Sequence, residues 1–324
     1  MPPSHIQLKV AEQPQGGNAR PTGSPLSADR LPSGGTSGRG EEEENLPAGQ
    51  AGGFFKVIVH SFFVIPFLIA VFCVLLFTAI HLLTREQRSA EDYLADIKTG
   101  GLTKRWQGAF ELSKILANPE LVPDEDRFFQ ELIDVFEHAK HDDDRIRQYL
   151  ALAMGRTANP VFLQPLLNGL QEEKEVNLPA LIYALGMLRQ KEAAPALYPY
   201  LEHPQARIRS ITVVALGNIA DARSDSVLRK ALADPESNVQ WGAAVSLAKI
   251  GDTAGKSVLM NMLDRGYLSK FPEVDAEEQN NLLLLAINAA APLEDVDLDE
   301  RIAQLAKGDK NMTVRSAALD VTKR

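Results

Sequence analysis

Across residues 128–264 one pattern of apolar and polar positions is written four times at a fixed period of 31, with no insertion. Late in each copy stands a small residue, Gly155, Gly186, Gly217 or Ala248, preceded by Met154, Leu185, Leu216 or Leu247. Four residues later come Asn159, Gln190, Asp221 and Asp252. Leucines follow in two further columns, Leu166, Leu197, Leu228 and Leu259, then Leu170, Leu201, Leu232 and Leu263. Leucines four apart share one face of a helix that turns every 3.6 residues. The turn column His141, Glu172, His203, Asp234 ends that helix; Pro204 and Pro235 disfavour helical geometry at the residue before each. A second helix rich in Ala, Val and Leu then follows, as in Ile208–Ile219 and Val239–Ile250. One such pair cannot bury its apolar stripe alone, so neighbours must stack on a shared core. The pattern predicts an all-α fold, an α-solenoid of about seven antiparallel helix pairs.

Both flanks of the repeats carry related signals. Arg105-Trp-Gln-Gly-Ala-Phe-Glu-Leu-Ser-Lys-Ile115 aligns without a gap on Gln240-Trp-Gly-Ala-Ala-Val-Ser-Leu-Ala-Lys-Ile250, so the only two tryptophans, Trp106 and Trp241, share a repeat position. Residues 85–123 therefore predict a juxtamembrane helix over 91–98 and a capping repeat with a helix over 103–117, and residues 124–324 the solenoid proper. After residue 264 the register breaks, and residues 266–278 run about ten longer than the equivalent turns. Helices over 279–291, 296–307 and 312–323 complete the chain.

Residues 1–53 are rich in Pro, Gly, Ser and charge, including Glu41 to Glu44, and predict a disordered tail because few apolar side chains offset ordering entropy. Residues 54–84 are their opposite. Val57 to Leu83 is a run of 27 with only His60, Ser61, Thr78 and His81 polar, which predicts a transmembrane helix and lipid contact through Phe54–Leu83. The 53 residues ahead of the run argue against a cleaved signal peptide, and Pro66 predicts a kink. On a helix of ~1.5 Å rise, His60 and His81 stand too far apart to share an ion. Arg85, Arg88, Lys98 and Lys104 outnumber Arg39 and Lys56 around the run. That balance predicts a single-pass bacterial membrane protein with its repeats in the cytoplasm, the alternative being a periplasmic repeat domain.

Composition narrows the partners. Net charge is −9; five of the 34 cations and six of the 43 anions precede residue 85, so the remainder is itself about −8. That balance argues against nucleic acid as the partner. The single cysteine, Cys73, excludes an internal disulfide.

Ile208-Arg-Ser-Ile-Thr-Val-Val-Ala-Leu-Gly-Asn-Ile-Ala-Asp221 and Asp309-Lys-Asn-Met-Thr-Val-Arg-Ser-Ala-Ala-Leu319 resemble HEAT repeats. The 31-residue form resembles the short HEAT-like repeats named after phycobilisome lyases, over roughly residues 103–324. The resemblance implies the solenoid fold and is nearly silent on activity. Among HEAT-type enzymes, hydroxylases hold iron with His-Glu pairs, and this sequence has no His-Glu dipeptide. Lyase members handle bilin chromophores, and no nucleophile or marked bilin pocket is legible here. No HExxH, CxxC, phosphate-binding glycine loop or Gly-x-Ser-x-Gly turn occurs either. The chain therefore reads as a non-enzyme with no metal, cofactor or small-molecule substrate implied.

The residual signal is for binding protein. Arg105, Arg147, Arg209 and Arg315 form one column with Gln240. They predict either an internal ladder onto the turns or a row of donors for an acidic partner. Trp106, Trp241, Tyr267 and Phe271 are candidate aromatic anchors, the last two in the long insertion, and Arg147 and Arg209 are candidate polar contacts. The sequence thus predicts a membrane-anchored scaffold or adaptor for another protein, with a membrane complex in the bilayer it enters among the candidate partners and a lyase-type enzyme as the alternative.

Overall fold

The computed structural model describes residues 64–83, 88–172 and 174–323. The tail of residues 1–53 and His60 lie outside them. The chain divides into two units, Met1–Gln87 and Arg88–Arg324.

In the first unit the described part is α1, Ile65–Leu83, a helix of 19 residues. Among the described residues no helix is long and apolar enough to cross a membrane, which overturns the single-pass membrane localisation expected from the 27-residue run. Pro66 is the second residue of α1. Along α1 the large side chains stand exposed, among them Phe67, Phe72 and Phe77.

The second unit is all-α among its described residues. Its helices are α2 (Ala90–Thr99), α3 (Leu102–Ile115), α4 (Asp126–His138), α5 (Asp144–Arg156), α6 (Leu163–Glu172) and α7 (Leu178–Leu188). The short α8 (Ala194–Leu197) precedes α9 (Ala206–Ile219), α10 (Asp225–Ala231), α11 (Ser237–Lys249), α12 (Lys256–Met262) and α13 (Arg265–Leu268). The last three are α14 (Ala276–Ala290), α15 (Val296–Gly308) and α16 (Met312–Thr322). They stack as seven antiparallel pairs in two layers. The inner layer runs α3, α5, α7, α9, α11, α14, α16, each helix packed on the next. Pro195 and Pro199 shorten the outer helix of one pair to α8 and a 3₁₀ turn, Tyr198–Glu202.

The 31-residue columns have separate physical causes. A Cβ on Gly155 would stand 2.6 Å from the carbonyl oxygen of Ala184, and one on Gly186 would stand 2.7 Å from Cα of Ala215. One on Gly217 would meet Ser246, whose hydroxyl donates to the Val213 carbonyl at 2.7 Å. The small residues therefore mark where consecutive inner helices touch backbone to backbone. Each inner helix from α5 to α11 ends beside a left-handed residue, Ala158, Arg189, Ala220 or Gly251, with φ of 54°, 55°, 53° and 79°. The next residue restarts the chain. Asn159, Asp221 and Asp252 accept from the N–H two residues on at 3.0, 3.0 and 2.8 Å, while Gln190, a methylene longer, makes no such cap.

The core falls into two clusters that meet at α11. Val239, Ala243 and Leu247 face the earlier repeats, and Trp241, Ala244, Val245 and Ala248 face the later ones. Caps fix the ends where the register has broken. Asp275 opens α14 by accepting from the N–H groups of Glu277 and Glu278 at 2.9 and 2.8 Å, and Asn311 opens α16 onto Thr313 and Val314 at 2.8 and 3.1 Å.

Candidate functional site

The arginine column is an internal ladder. Arg209 donates to the carbonyls of His203 and Pro204 at 2.9 and 3.1 Å and forks onto the Asp234 carboxylate at 2.7 and 2.9 Å. Gln240 donates to the Asp234 carbonyl at 2.6 Å and Arg315 to the Asp309 carbonyl at 2.5 Å, both six residues upstream. Arg105 donates to the Ile97 carbonyl at 2.8 Å and pairs with Asp142. Arg147 is 1% exposed; its guanidinium lies 3.5 Å from the Phe136 ring centroid and donates to the Phe136 carbonyl. This corrects the view of Arg147 as a surface contact, since the side chain is buried, and Arg209 is spent on its own turn and on Asp234 of the next. Arg265 extends the ladder out of register, forking onto Asp309 at 2.6 and 2.8 Å, a pairing the sequence columns did not reveal.

Carboxylates in this ladder are stabilised in their charged form. The Arg209 hydrogen bond holds Asp234 below the usual carboxylate range. At Asp309 burial pushes the other way, but the hydrogen bonds from Arg265 and the Asn311 N–H outweigh it and the carboxyl is again lowered.

The aromatic candidates separate. Trp241 is only 3% exposed, because the insertion folds back over it: Phe271 packs edge-on at 5.1 Å, and Tyr267 packs on Phe271 at 5.2 Å. As a candidate anchor Trp241 is therefore covered and not open; the loop that breaks the register also fills the space beside it. Its indole N–H has no acceptor among the described residues. Trp106, at the equivalent position, is half-buried, with the Arg145 guanidinium 4.8 Å above its ring.

Along the inner helices one stripe is left uncovered by the outer layer. Its central column is apolar: Phe110, Leu152, Tyr183 and Val214 are exposed or half-buried, and Phe110 packs edge-on against Tyr149 at 5.2 Å. Val245 closes the column and is nearly buried. Beside it, one turn on, runs a column of Lys114, Arg156, Met187, Asn218 and Lys249, polar but for Met187. Helices α5, α7, α9 and α11 together hold six cations and one carboxylate, Asp144, in a chain of net charge −9. That imbalance was open to view in the sequence, once the inner helices were separated from the outer ones. Among the described residues no three His, Cys, Asp or Glu side chains stand close enough to hold a metal ion.

Residues 197–268 match the family model for HEAT repeats. No curated protein matches the chain. Among solved structures, a chain of the complex of CpcE and CpcF of phycocyanin lyase from Nostoc sp. PCC7120 superposes with a TM-score of 0.52 at 21% identity, covering 74% of this chain and 88% of that one. The archaeal HEAT-like repeats protein from Thermococcus onnurineus NA1 is similar over 74% of this chain and 97% of that one, at 16% identity and a TM-score of 0.42, too loose to argue from. A superposition at this identity speaks for fold alone. The second unit is thus an all-α solenoid of HEAT-like fold.

Proposed function

We propose that this chain is a protein–protein interaction scaffold or adaptor that receives its partner along the open stripe of the inner helices. The observation that carries this reading is the continuous column Phe110, Leu152, Tyr183, Val214, which crosses four stacked helices without an outer element covering it. Large aromatics at the head of such a stripe suit an interface anchor. Trp106 extends the stripe at its N-terminal end, and Tyr267 borders the C-terminal end through the insertion. The solved neighbour is itself described as a complex of two proteins, CpcE and CpcF, which supports a protein partner for this fold. A photo-crosslinking side chain at Tyr183 of the full chain should capture a partner in cells, and the same group on the outer layer at Glu300 should not. Equal capture from both positions would sink the reading.

A second reading is a lyase-type protein acting on a chromophore-bearing partner, favoured by the superposition on a phycocyanin lyase subunit complex. Absorbance in the visible range that co-purifies with the full chain after incubation with a bilin would support it. A clear preparation would remove it.

A further inference from the structure

Three cations border the open stripe at the C-terminal ends of the inner helices: Arg156 on α5, Arg189 after α7 and Lys249 on α11. Among the described residues none of the three is paired with a carboxylate, although Arg209, Arg229 and Arg265 on the same fold each pair with one. Arg156 donates instead to the Ser113 carbonyl of the preceding repeat, and Lys249 to the Asn218 amide oxygen at 2.8 Å. Arg156 and Lys249 are thereby braced by neutral groups that leave their charge uncompensated.

Lys249 and Arg189 reach solvent, yet desolvation by the flanking helices lowers the Lys249 pKa and the charge of Arg189 lowers it further. Burial likewise lowers Arg156, opposed by Tyr183 of the apolar column. A counter-charge that reaches such a partly desolvated cation meets less water and binds more strongly than on an open surface.

We propose, resting on the scaffold reading above, that the occupant of the stripe is an acidic amphipathic segment of a partner protein. Its apolar side chains lie on the Leu152–Tyr183–Val214 column and its carboxylates face Arg156, Arg189 and Lys249. Spacing fits this occupant: inner helices ~8–10 Å apart present one site per repeat, and a segment in polyproline II geometry, rising ~3.1 Å per residue with three residues per turn, returns a side chain to the same edge every ~9 Å. The net charge of about −8 on residues 85–324 disfavours a polyphosphate backbone, whereas a short acidic segment meets only the local row.

The test is fluorescence anisotropy on the full chain with two labelled twelve-residue probes, Leu-Glu-Glu repeats and the same sequence with Lys for Glu. The acidic probe should bind and the basic one should not, with affinity falling as salt rises. The double variant Arg189→Gln, Lys249→Gln, both surface positions, should lose tenfold or more, while Lys310→Gln, outside the stripe, should lose less than twofold. Circular dichroism melts confirm that each variant is folded. Equal binding of both probes, no binding of the acidic one, or an unchanged double variant would overturn the acidic class. If Tyr183 crosslinks a partner and the acidic probe still fails, the scaffold reading stands and only the partner class is wrong.

Discussion

Asp234 receives the two-pronged guanidinium of Arg209 from the preceding repeat at 2.7 and 2.9 Å, with 8% of its side chain exposed. The pair joins the turn of one helix pair to the inner helix of the one before. Removing one member leaves a desolvated charge, so Asp234→Asn should lower unfolding free energy by about 3 kcal/mol in denaturant titration. A loss under about 0.5 kcal/mol would mean that the fork is a surface ornament.

Acid stability follows from the same carboxylates. Asp234 and Asp309 titrate lower in the folded chain than the ~3.9 of an unfolded one, so their stabilisation is complete above that value. As pH falls through the depressed folded values the protons bind and the contribution disappears. Melting temperature should therefore fall below about pH 4, and fall less steeply in Asp234→Asn. A wild-type profile that is flat between pH 5 and 2 would contradict this.

Close contact of inner helices at Gly186 sets a third expectation. Its added methyl group would press on Cα and Cβ of Ala215 at 2.7 and 2.8 Å, both on a packed helix that cannot yield cheaply. Gly186→Ala should destabilise by roughly 1–3 kcal/mol. Gly308→Ala, where a methyl meets nothing within 4 Å, should be neutral or slightly stabilising.

At the corners the sign reverses. Ala220 holds φ at 53°, a conformation that costs an L-residue roughly 1–2 kcal/mol and glycine almost none. Ala220→Gly should raise stability by about 0.5–1 kcal/mol after glycine's larger entropy loss. Gly251→Ala, in the same corner one repeat on, should lower it by about 1 kcal/mol although its methyl meets open space. Paired chemical melts would check both signs.

Phe271 shields Trp241, so its loss can be read optically. In a Trp106→Phe background, Phe271→Ala should shift Trp241 emission to longer wavelength and cost about 2 kcal/mol, below a fully buried phenylalanine because Phe271 is half-buried. An unshifted spectrum would mean the insertion does not cover the indole.

Periodicity alone carried the stacked helix pairs, the contact points at Gly155, Gly186 and Gly217, and the ladder of Arg209, Gln240 and Arg315. Each is a local demand repeated at a fixed spacing, and a spacing is visible in one dimension. Hydropathy alone misjudged the run from Val57 to Leu83: among the described residues no helix is long and apolar enough to cross a membrane.

Trp106 and Trp241 mark the other limit. Their repeat position is the same, but what covers a position is decided by chain that lies far away in sequence, here Phe271 over Trp241 and Arg145 over Trp106. The row of Arg156, Arg189 and Lys249 became a feature only once stacking placed three helix ends on one edge. Sequence determined the repeat, because helical geometry and small-residue contacts are local. Tertiary structure decided which side chains were left open, because exposure belongs to the neighbours and not to the residue.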